Sequence, residues 1–154
     1  MKKIVFIIAG LLTLGACKRD RAELAAPLSK IAGIQDDWTL YKVVQYDEIT
    51  QKELEVTTVY LGNDPMKINF SITGTDTIYS VIPGTSKNYF GTTGKWHFDN
   101  NDYPTKLIIN NAGNDAYMPL LRTIREGDPS LEFKYTKVCS GRNVVSYKYF
   151  FKRS

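Results

Sequence analysis

Apolar and polar side chains alternate along most of the chain after residue 37. The clearest case is segment 66–73, in which Ile68, Phe70 and Ile72 are separated by polar residues. Because successive side chains of a strand point to opposite faces, this pattern predicts a strand with one buried and one solvated face. Eight further segments rich in β-branched and aromatic residues predict strands: 38–46, 54–61, 77–82, 95–98, 105–110, 120–125, 131–138 and 144–151. No helix is predicted after residue 37.

Turn-forming residues separate the predicted strands. Segments 62–65, 73–76, 110–115 and 126–129 combine Gly, Pro, Asn and Asp in ways typical of tight turns. Short connections make successive strands antiparallel neighbours, and a meander with an apolar face leaves exposed edges unless it closes on itself. We therefore predict an all-β fold, an antiparallel meander of about eight strands closed as a barrel. A β-sandwich remains the alternative, and connection 83–93 is predicted to be a mobile loop.

The N-terminus has a different pattern. Lys2 and Lys3 precede an apolar run at residues 4–14, which ends before Lys18 and Arg19. A membrane-spanning helix needs roughly 20 apolar residues, so the run is too short to span a bilayer. The order of charge and then apolar run is that of a secretory signal peptide.

The four residues Leu14-Gly15-Ala16-Cys17 resemble the lipobox of bacterial lipoproteins. The resemblance implies that residues 1–16 are removed and that the Cys17 thiol receives a diacylglycerol, with a further acyl chain such as palmitate on the new amine. Together these chains anchor a soluble domain durably, so a membrane is the predicted partner. Lys18 in place of Asp implies the outer membrane and leaves its side open. An ordinary secretory signal with an incidental Cys is the alternative.

Charge and cysteine content narrow the picture further. Loss of Lys2 and Lys3 with the signal leaves 18 of the 20 basic residues against 16 acidic ones, so the mature chain is nearly neutral and no nucleic-acid partner is predicted. Lipidation of Cys17 would leave Cys139 without a disulfide partner, and we expect Cys139 to be a buried or half-buried small apolar residue. Segment 17–36 is predicted to be a lipidated tether, with a short packed helix as the alternative, and 37–154 the folded domain.

The chain offers little catalytic chemistry. The single histidine, His97, lies between Trp96 and Phe98, so alternation directs it to solvent. No Gly-x-Ser-x-Gly motif is present, and we predict a protein that is not an enzyme. The oxygen-rich segment 99–102 lacks the ligand spacing of a calcium loop and predicts a hairpin turn. No metal and no cofactor are predicted.

Several short motifs together carry a family resemblance. They are Asp37-Trp38-Thr39-Leu40, Gly94-Lys95-Trp96-His97-Phe98-Asp99, Leu107-Ile108-Ile109 and an aromatic last strand. Over about residues 30–154 the chain is similar to the lipocalin-like lipoproteins of bacteria, many of which are domains of unknown function. Lipocalins carry Gly where this chain has Asp36, and here Gly33 lies further back. The late basic residue that packs on the first-strand Trp in that family has two candidates, Lys152 and Arg153.

This resemblance implies a barrel that holds a small apolar or amphipathic molecule. We predict an envelope lipoprotein that binds such a ligand without catalysis. The alternative is a structural or protein-interaction lipoprotein with a filled core and no ligand, whose partner would be an envelope protein. The predicted lining residues are Trp38, Leu40, Ile68, Phe70, Trp96, Phe98, Leu107, Ile109, Phe133 and Tyr135.

Overall fold

The structure, a computed structural model, describes residues 29–154. The predicted signal peptide 1–16, Cys17 and the first part of the tether lie outside these residues. The elements in chain order are α1 (Lys30–Ile34), β1 (Asp36–Asp47), β2 (Glu53–Glu55), α2 (Thr57–Leu61), β3 (Lys67–Thr73), β4 (Asp76–Ile82), β5 (Thr93–Phe98), β6 (Lys106–Asn111), β7 (Asn114–Pro119), β8 (Ser130–Cys139) and β9 (Arg142–Arg153).

Eight of the strands form one antiparallel sheet that is nearly closed as a barrel. Its order is β7-β6-β5-β4-β3-β1-β9-β8, and β2 adds a short pair to the far end of β1. The two edges meet just beyond β7, where Leu120 bridges Phe133 and the Leu121 N–H donates to the Glu132 carbonyl at 2.9 Å. Closure satisfies backbone groups that an open edge would expose. The predicted all-β barrel is confirmed, and the sandwich alternative is not what the chain adopts.

The strand predicted at 54–61 is wrong over most of its length. Only Glu53–Glu55 is extended, and Thr57–Leu61 forms α2, so the prediction of no helix after residue 37 is also wrong. The cause is tertiary: Thr57 Oγ1 accepts a hydrogen bond from Val43 N at 3.1 Å, which docks the turn on β1. The turn directs Tyr60 inward and leaves Val59 84% exposed. Such contacts override the β propensity of threonine and valine.

The strand predicted at 120–125 is displaced toward the N-terminus. The strand is Asn114–Pro119, and residues 120–125 belong to the connection to β8. Ala112 and Gly113 both have positive φ, 50° and 85°, and form a two-residue turn that pairs Asn111 with the first residue of β7. Two consecutive positive φ values are typical of the type I′ hairpin turn, which starts the return strand at once.

Aromatic side chains fill the barrel interior. Trp38, Trp96, Phe133 and Phe151 are each at most 1% exposed. Their rings pack in edge-to-face and stacked pairs, with Phe70 and Trp96 centroids 5.8 Å apart and Phe133 and Phe151 centroids 5.4 Å apart. Because exposure this low leaves no room for a water molecule beside these rings, the interior at these positions is packed core.

One end of the barrel is closed by α1 and the last strand. Ile34 is fully buried, and its carbonyl accepts a hydrogen bond from Trp38 Nε1 at 2.8 Å. The Arg153 guanidinium lies 4.8 Å from the Trp38 ring centroid, donates to the Gly33 carbonyl at 3.2 Å and pairs with Asp36. Part of the predicted tether is therefore a packed helix, and the open end lies opposite.

A tyrosine-lined cleft at the open end of the barrel

The end of the barrel opposite α1 carries a cleft with a volume of about 330 Å³. The connection 83–92, the β6–β7 hairpin and β8 contribute its walls. The residues that line it are Tyr89, Phe90, Ile109, Asn111, Asn114, Asp115, Ala116 and Tyr135. A volume of this size is at the lower end of the range of about 300 to 1,000 Å³ that is typical of small-molecule sites, and the mixture of aromatic and polar lining is also typical.

Phe90 fixes the connection 83–92 to the barrel. Its side chain is 2% exposed, and its carbonyl accepts a hydrogen bond from Tyr79 Oη at 2.5 Å. Asn88 holds the same turn from both sides, because its Oδ1 accepts from Phe90 N and its Nδ2 donates to the Gly91 carbonyl, both at 2.8 Å. Gly91 has a φ of 74°, which favours glycine, and a Cβ there would lie 1.5 Å from the Asn111 amide nitrogen and displace that side chain. The cleft wall is thereby held in place.

Five tyrosines form a cluster beside the cleft: Tyr60, Tyr89, Tyr135, Tyr147 and Tyr149. The Tyr89 ring packs against Tyr135 at 5.3 Å and against Tyr147 at 5.9 Å, in nearly parallel planes. Tyr60 packs on Tyr147 at 5.2 Å, and its hydroxyl lies 3.4 Å from that of Tyr89. A tyrosine buries an apolar ring and keeps a polar tip, so this cluster presents apolar faces and hydroxyl groups together.

The hydroxyl of Tyr149 has no hydrogen-bond partner among residues 29–154. Its side chain is fully buried. Burial raises the pKa of Tyr149 well above its ordinary value, and the hydroxyls of Tyr89, Tyr147 and Tyr135 add to the shift, so it stays a neutral phenol. Burial likewise raises the pKa of Tyr60. An unpaired buried hydroxyl costs about 1 to 3 kcal/mol. The Tyr149 ring packs edge-to-face at 5.2 Å on Phe90, a residue that lines the cleft.

The cleft carries little charge. Among the described residues that line it, Asp115 alone has a formal charge, and its Oδ1 accepts a hydrogen bond from Asn110 Nδ2 at 2.6 Å. The side chains of Asn111 and Asn114 complete the polar rim. Amides both donate and accept hydrogen bonds, whereas a carboxylate only accepts. The rim therefore suits a ligand that is not an anion and that carries both hydrogen-bond donors and acceptors.

The predicted lining residues divide into two groups. Eight lie in the packed interior, each at most 5% exposed: Trp38, Leu40, Ile68, Phe70, Trp96, Phe98, Leu107 and Phe133. Ile109 and Tyr135 line the cleft. Sequence reasoning did not include Tyr89 and Phe90, although an aromatic pair inside a glycine- and threonine-bearing connection is a signal that could have found them. The polar rim residues were assigned to a turn, and nothing in the sequence distinguished them.

The other residues considered for chemistry are surface groups. His97 is exposed while Trp96 and Phe98 are buried, as the alternation predicts. Asp99 organises its own loop: its carboxylate accepts hydrogen bonds from the Thr105 hydroxyl and from backbone N–H groups, which lower its pKa to about 2. The expectation of a buried Cys139 is wrong, because the residue is exposed near the tip of the β8–β9 hairpin.

A larger groove of about 750 Å³ lies at the α1 end, where Tyr103 is 81% exposed. Its lining consists mostly of exposed side chains: Ser29, Lys30, Ile31, Asn101, Asp102, Tyr103 and Arg125. The smaller cleft at the open end has buried aromatic walls and is the better-formed site for a ligand.

Comparison with protein-family models, with curated proteins and with solved structures finds no match to this chain. Within residues 29–154, neither helix has the length and apolar character needed to cross a bilayer.

Proposed function

We propose that the protein is a lipid-anchored lipoprotein of the bacterial envelope that binds a small amphipathic ligand at the open end of its barrel, without catalysis. The observation that carries the proposal is the cleft of about 330 Å³, where Tyr89, Phe90 and Tyr135 lie beside amide and carboxylate groups. Because the interior is packed with aromatic rings, the ligand sits at the end of the barrel and not at its centre.

The lipid anchor rests on the motif Leu14-Gly15-Ala16-Cys17 and on the short apolar run before it. Incorporation of labelled palmitate into the protein in its bacterial host tests this part. We expect label in the wild type and none in Cys17→Ala. A Cys139→Ala variant is the matched control and should keep the label. Label that persists in Cys17→Ala would refute the anchor. Fractionation of the labelled protein tests its assignment to the outer membrane.

The closed end of the barrel supports the lipocalin-like part of the proposal. Arg153, and not its neighbour Lys152, lies over the Trp38 ring and reaches the carbonyl of Gly33. A contact of this kind between a late basic residue and the first-strand Trp is what the resemblance implies. With one end closed in this way, the opposite end is the one at which a ligand enters.

Native mass spectrometry of the lipoprotein extracted from its own membrane tests ligand binding. The informative variant is Asn114→Trp, which adds a large ring at the cleft wall. Tyr117→Trp is the matched control, because Tyr117 is in the same strand and 59% exposed. We expect a bound small molecule with the wild type and with the control, and its loss from Asn114→Trp. If the same amount of bound small molecule is recovered from both variants, the ligand binds outside the cleft.

The second candidate function is that of a structural or protein-interaction lipoprotein. The packed interior favours it, since eight of the predicted lining residues are plain core. Under this alternative no small molecule is recovered from the wild type, and covalent cross-linking in intact cells captures an envelope protein instead.

A further inference from the structure

We propose that the ligand of the cleft is an uncharged, hydroxyl-rich ring, that is, a neutral pyranose of a saccharide. The inference rests on the proposed binding function and names the chemical class of its ligand. Two observations point to this class: aromatic side chains, two amides and one carboxylate line one small cleft, and the buried hydroxyl of Tyr149, whose ring packs on Phe90, has no partner within residues 29–154.

The apolar wall matches one face of a sugar ring. The half-buried Tyr89 and Tyr135 contribute most of the aromatic surface, because Phe90 is only 2% exposed. Ala116 adds aliphatic surface, and Ile109 on the neighbouring strand is 3% exposed. A pyranose exposes several C–H groups on one face, and these are weakly positive because each carbon also bears an oxygen. The face of an aromatic ring is electron-rich and attracts such groups. The wall therefore fits the C–H face of a sugar.

The polar rim matches the edge of the same ring. Asn114 has no side-chain hydrogen bond among residues 29–154, and the amide of Asn111 makes only a long one, 3.4 Å, to the Phe90 carbonyl. Asp115 uses one carboxylate oxygen for Asn110. Two amides and a carboxylate oxygen can therefore accept from and donate to adjacent hydroxyls, which are both donors and acceptors.

The tyrosine cluster extends this hydrogen-bonding capacity below the wall. The hydroxyls of Tyr60 and Tyr89 are joined by a long contact of 3.4 Å, and that of Tyr149 is unpaired within the described chain. Tyr149 does not line the cleft itself, but its ring packs at 5.2 Å on Phe90, which does. A water held between a ligand hydroxyl and Tyr149 would supply the missing partner. An apolar ligand would leave this group unpaired.

Other ligand classes fit less well. An anion would face the carboxylate of Asp115, and no Lys or Arg is among the described residues that line the cleft. A wholly apolar ligand would desolvate two amides and a carboxylate without replacing their hydrogen bonds with water. A long acyl chain needs an empty barrel, whereas Trp38, Trp96 and Phe133 fill this one. A neutral polyhydroxylated ring meets none of these objections.

Saturation-transfer difference NMR on the lipoprotein tests the inference. The protein is kept in a polyoxyethylene detergent, because a glycosidic detergent would compete for the site. The probes are the methyl glycosides of neutral hexoses, their disaccharides, a hexuronic acid, and an uncharged naphthyl amphiphile. We expect saturation of the C–H protons of one sugar face and at least tenfold weaker binding of the uronic acid than of its neutral parent.

Variants connect the signal to the cleft. Tyr135→Ala and Asn114→Trp should each weaken glycoside binding at least tenfold, and Tyr117→Ala, which is outside the cleft, should leave it unchanged. Tyr149→Phe is the sharpest test. It removes a hydroxyl that has no partner among residues 29–154, so the melting temperature should not fall, whereas glycoside binding should weaken about fivefold. Because this variant keeps the core packing, it remains informative if Tyr135→Ala does not fold.

Two negative results are distinguishable. If the naphthyl amphiphile binds to the wild type but not to Asn114→Trp, and no glycoside binds, the saccharide inference is wrong and the binding function stands. If no probe binds and no native ligand is recovered, both fall. Equal binding of the hexuronic acid and its neutral parent, or unchanged glycoside binding by Tyr149→Phe, would also overturn the inference.

Discussion

Truncation of Arg153 should weaken the closed end of the barrel more than any other single change at the surface of that end. Its guanidinium packs over Trp38 at 4.8 Å, donates from Nη2 to the Gly33 carbonyl at 3.2 Å and from Nε to the Asp128 carbonyl at 3.1 Å, and pairs with Asp36. Arg153→Ala removes all four contacts at once.

The magnitude follows from these contacts. Hydrogen bonds from a charged donor contribute about 1.5 to 3 kcal/mol each in favourable geometry, and the cation–π contact contributes about 0.5 to 1 kcal/mol. The pair with Asp36 is partly solvated, with side chains 27% and 34% exposed, so it adds at most about 1 kcal/mol. Water replaces part of what is lost, and we expect a destabilisation of about 2 to 4 kcal/mol. For a domain of roughly 130 residues this lowers the melting temperature by about 8 to 15 °C.

Thermal unfolding of the lipoprotein, followed by near-ultraviolet circular dichroism, measures the effect. Lys152→Ala is the matched control, because the neighbouring side chain is exposed and should shift the midpoint by no more than about 2 °C. Arg153→Lys keeps the positive charge but not the planar guanidinium. Its melting temperature should fall by at least half as much as that of the alanine variant. If Arg153→Ala and Lys152→Ala unfold at the same temperature, the guanidinium does not close this end and the argument is wrong.

Three further changes test local features of the fold. Ala112→Asn should stabilise by about 0.5 to 1 kcal/mol in urea unfolding, since asparagine tolerates the φ of 50° at this hairpin position better than alanine; no gain would argue against the type I′ turn. Gly33→Ala should destabilise by about 1 to 3 kcal/mol, because the new Cβ would lie 2.7 Å from the Arg125 carbonyl carbon; an unchanged melting temperature would contradict this close approach. The hydrogen bond from the Thr105 hydroxyl, with the loop N–H groups, lowers the Asp99 pKa to about 2, below its unfolded value, so its contribution is present above about pH 4 and is lost as the pH falls toward 2. Urea titrations from pH 5 to 2 should show a smaller loss of stability for Asp99→Asn than for the wild type.

The sequence predicted those elements in which alternation and burial coincide. Segment 66–73 places Ile68 and Phe70 on the inner face, both buried, and the structure forms β3 there. The prediction failed where contacts between distant segments, and not alternation, decide which side chains are buried. Leu54 and Val59 are apolar residues of the strand predicted at 54–61, yet both are exposed, because docking of Thr57 on β1 turns the chain. A contact between segments distant in the sequence leaves no periodic signal.

The same limit applies to the cleft. Tyr135 could be assigned to an inward position because its strand alternates, and it lines the cleft. Tyr89 could not, because the connection that carries it has no period. Its position depends on Phe90, whose backbone is held by Tyr79 and Asn88. The unpaired hydroxyl of Tyr149 is a property of packing alone, since an inward tyrosine on a final strand is expected whether or not its hydroxyl finds a partner.

The two ends of the barrel can be separated by experiment. Arg153 and Trp38 close one end, while the rim residue Asn114 and the tyrosine cluster form the other. The hydrogen bonds and the ion pair given for Arg153 and Trp38 go to Ile34, Gly33, Asp36 and Asp128, none of which belongs to the open end. Effects of distant, independent sites add, so a change at one end should leave the other unaffected. Below its melting temperature, Arg153→Ala should therefore bind a glycoside as tightly as the wild type, while Tyr149→Phe should bind it more weakly without loss of stability. These two opposite outcomes are expected only if the closed end maintains the fold and the open end binds the ligand.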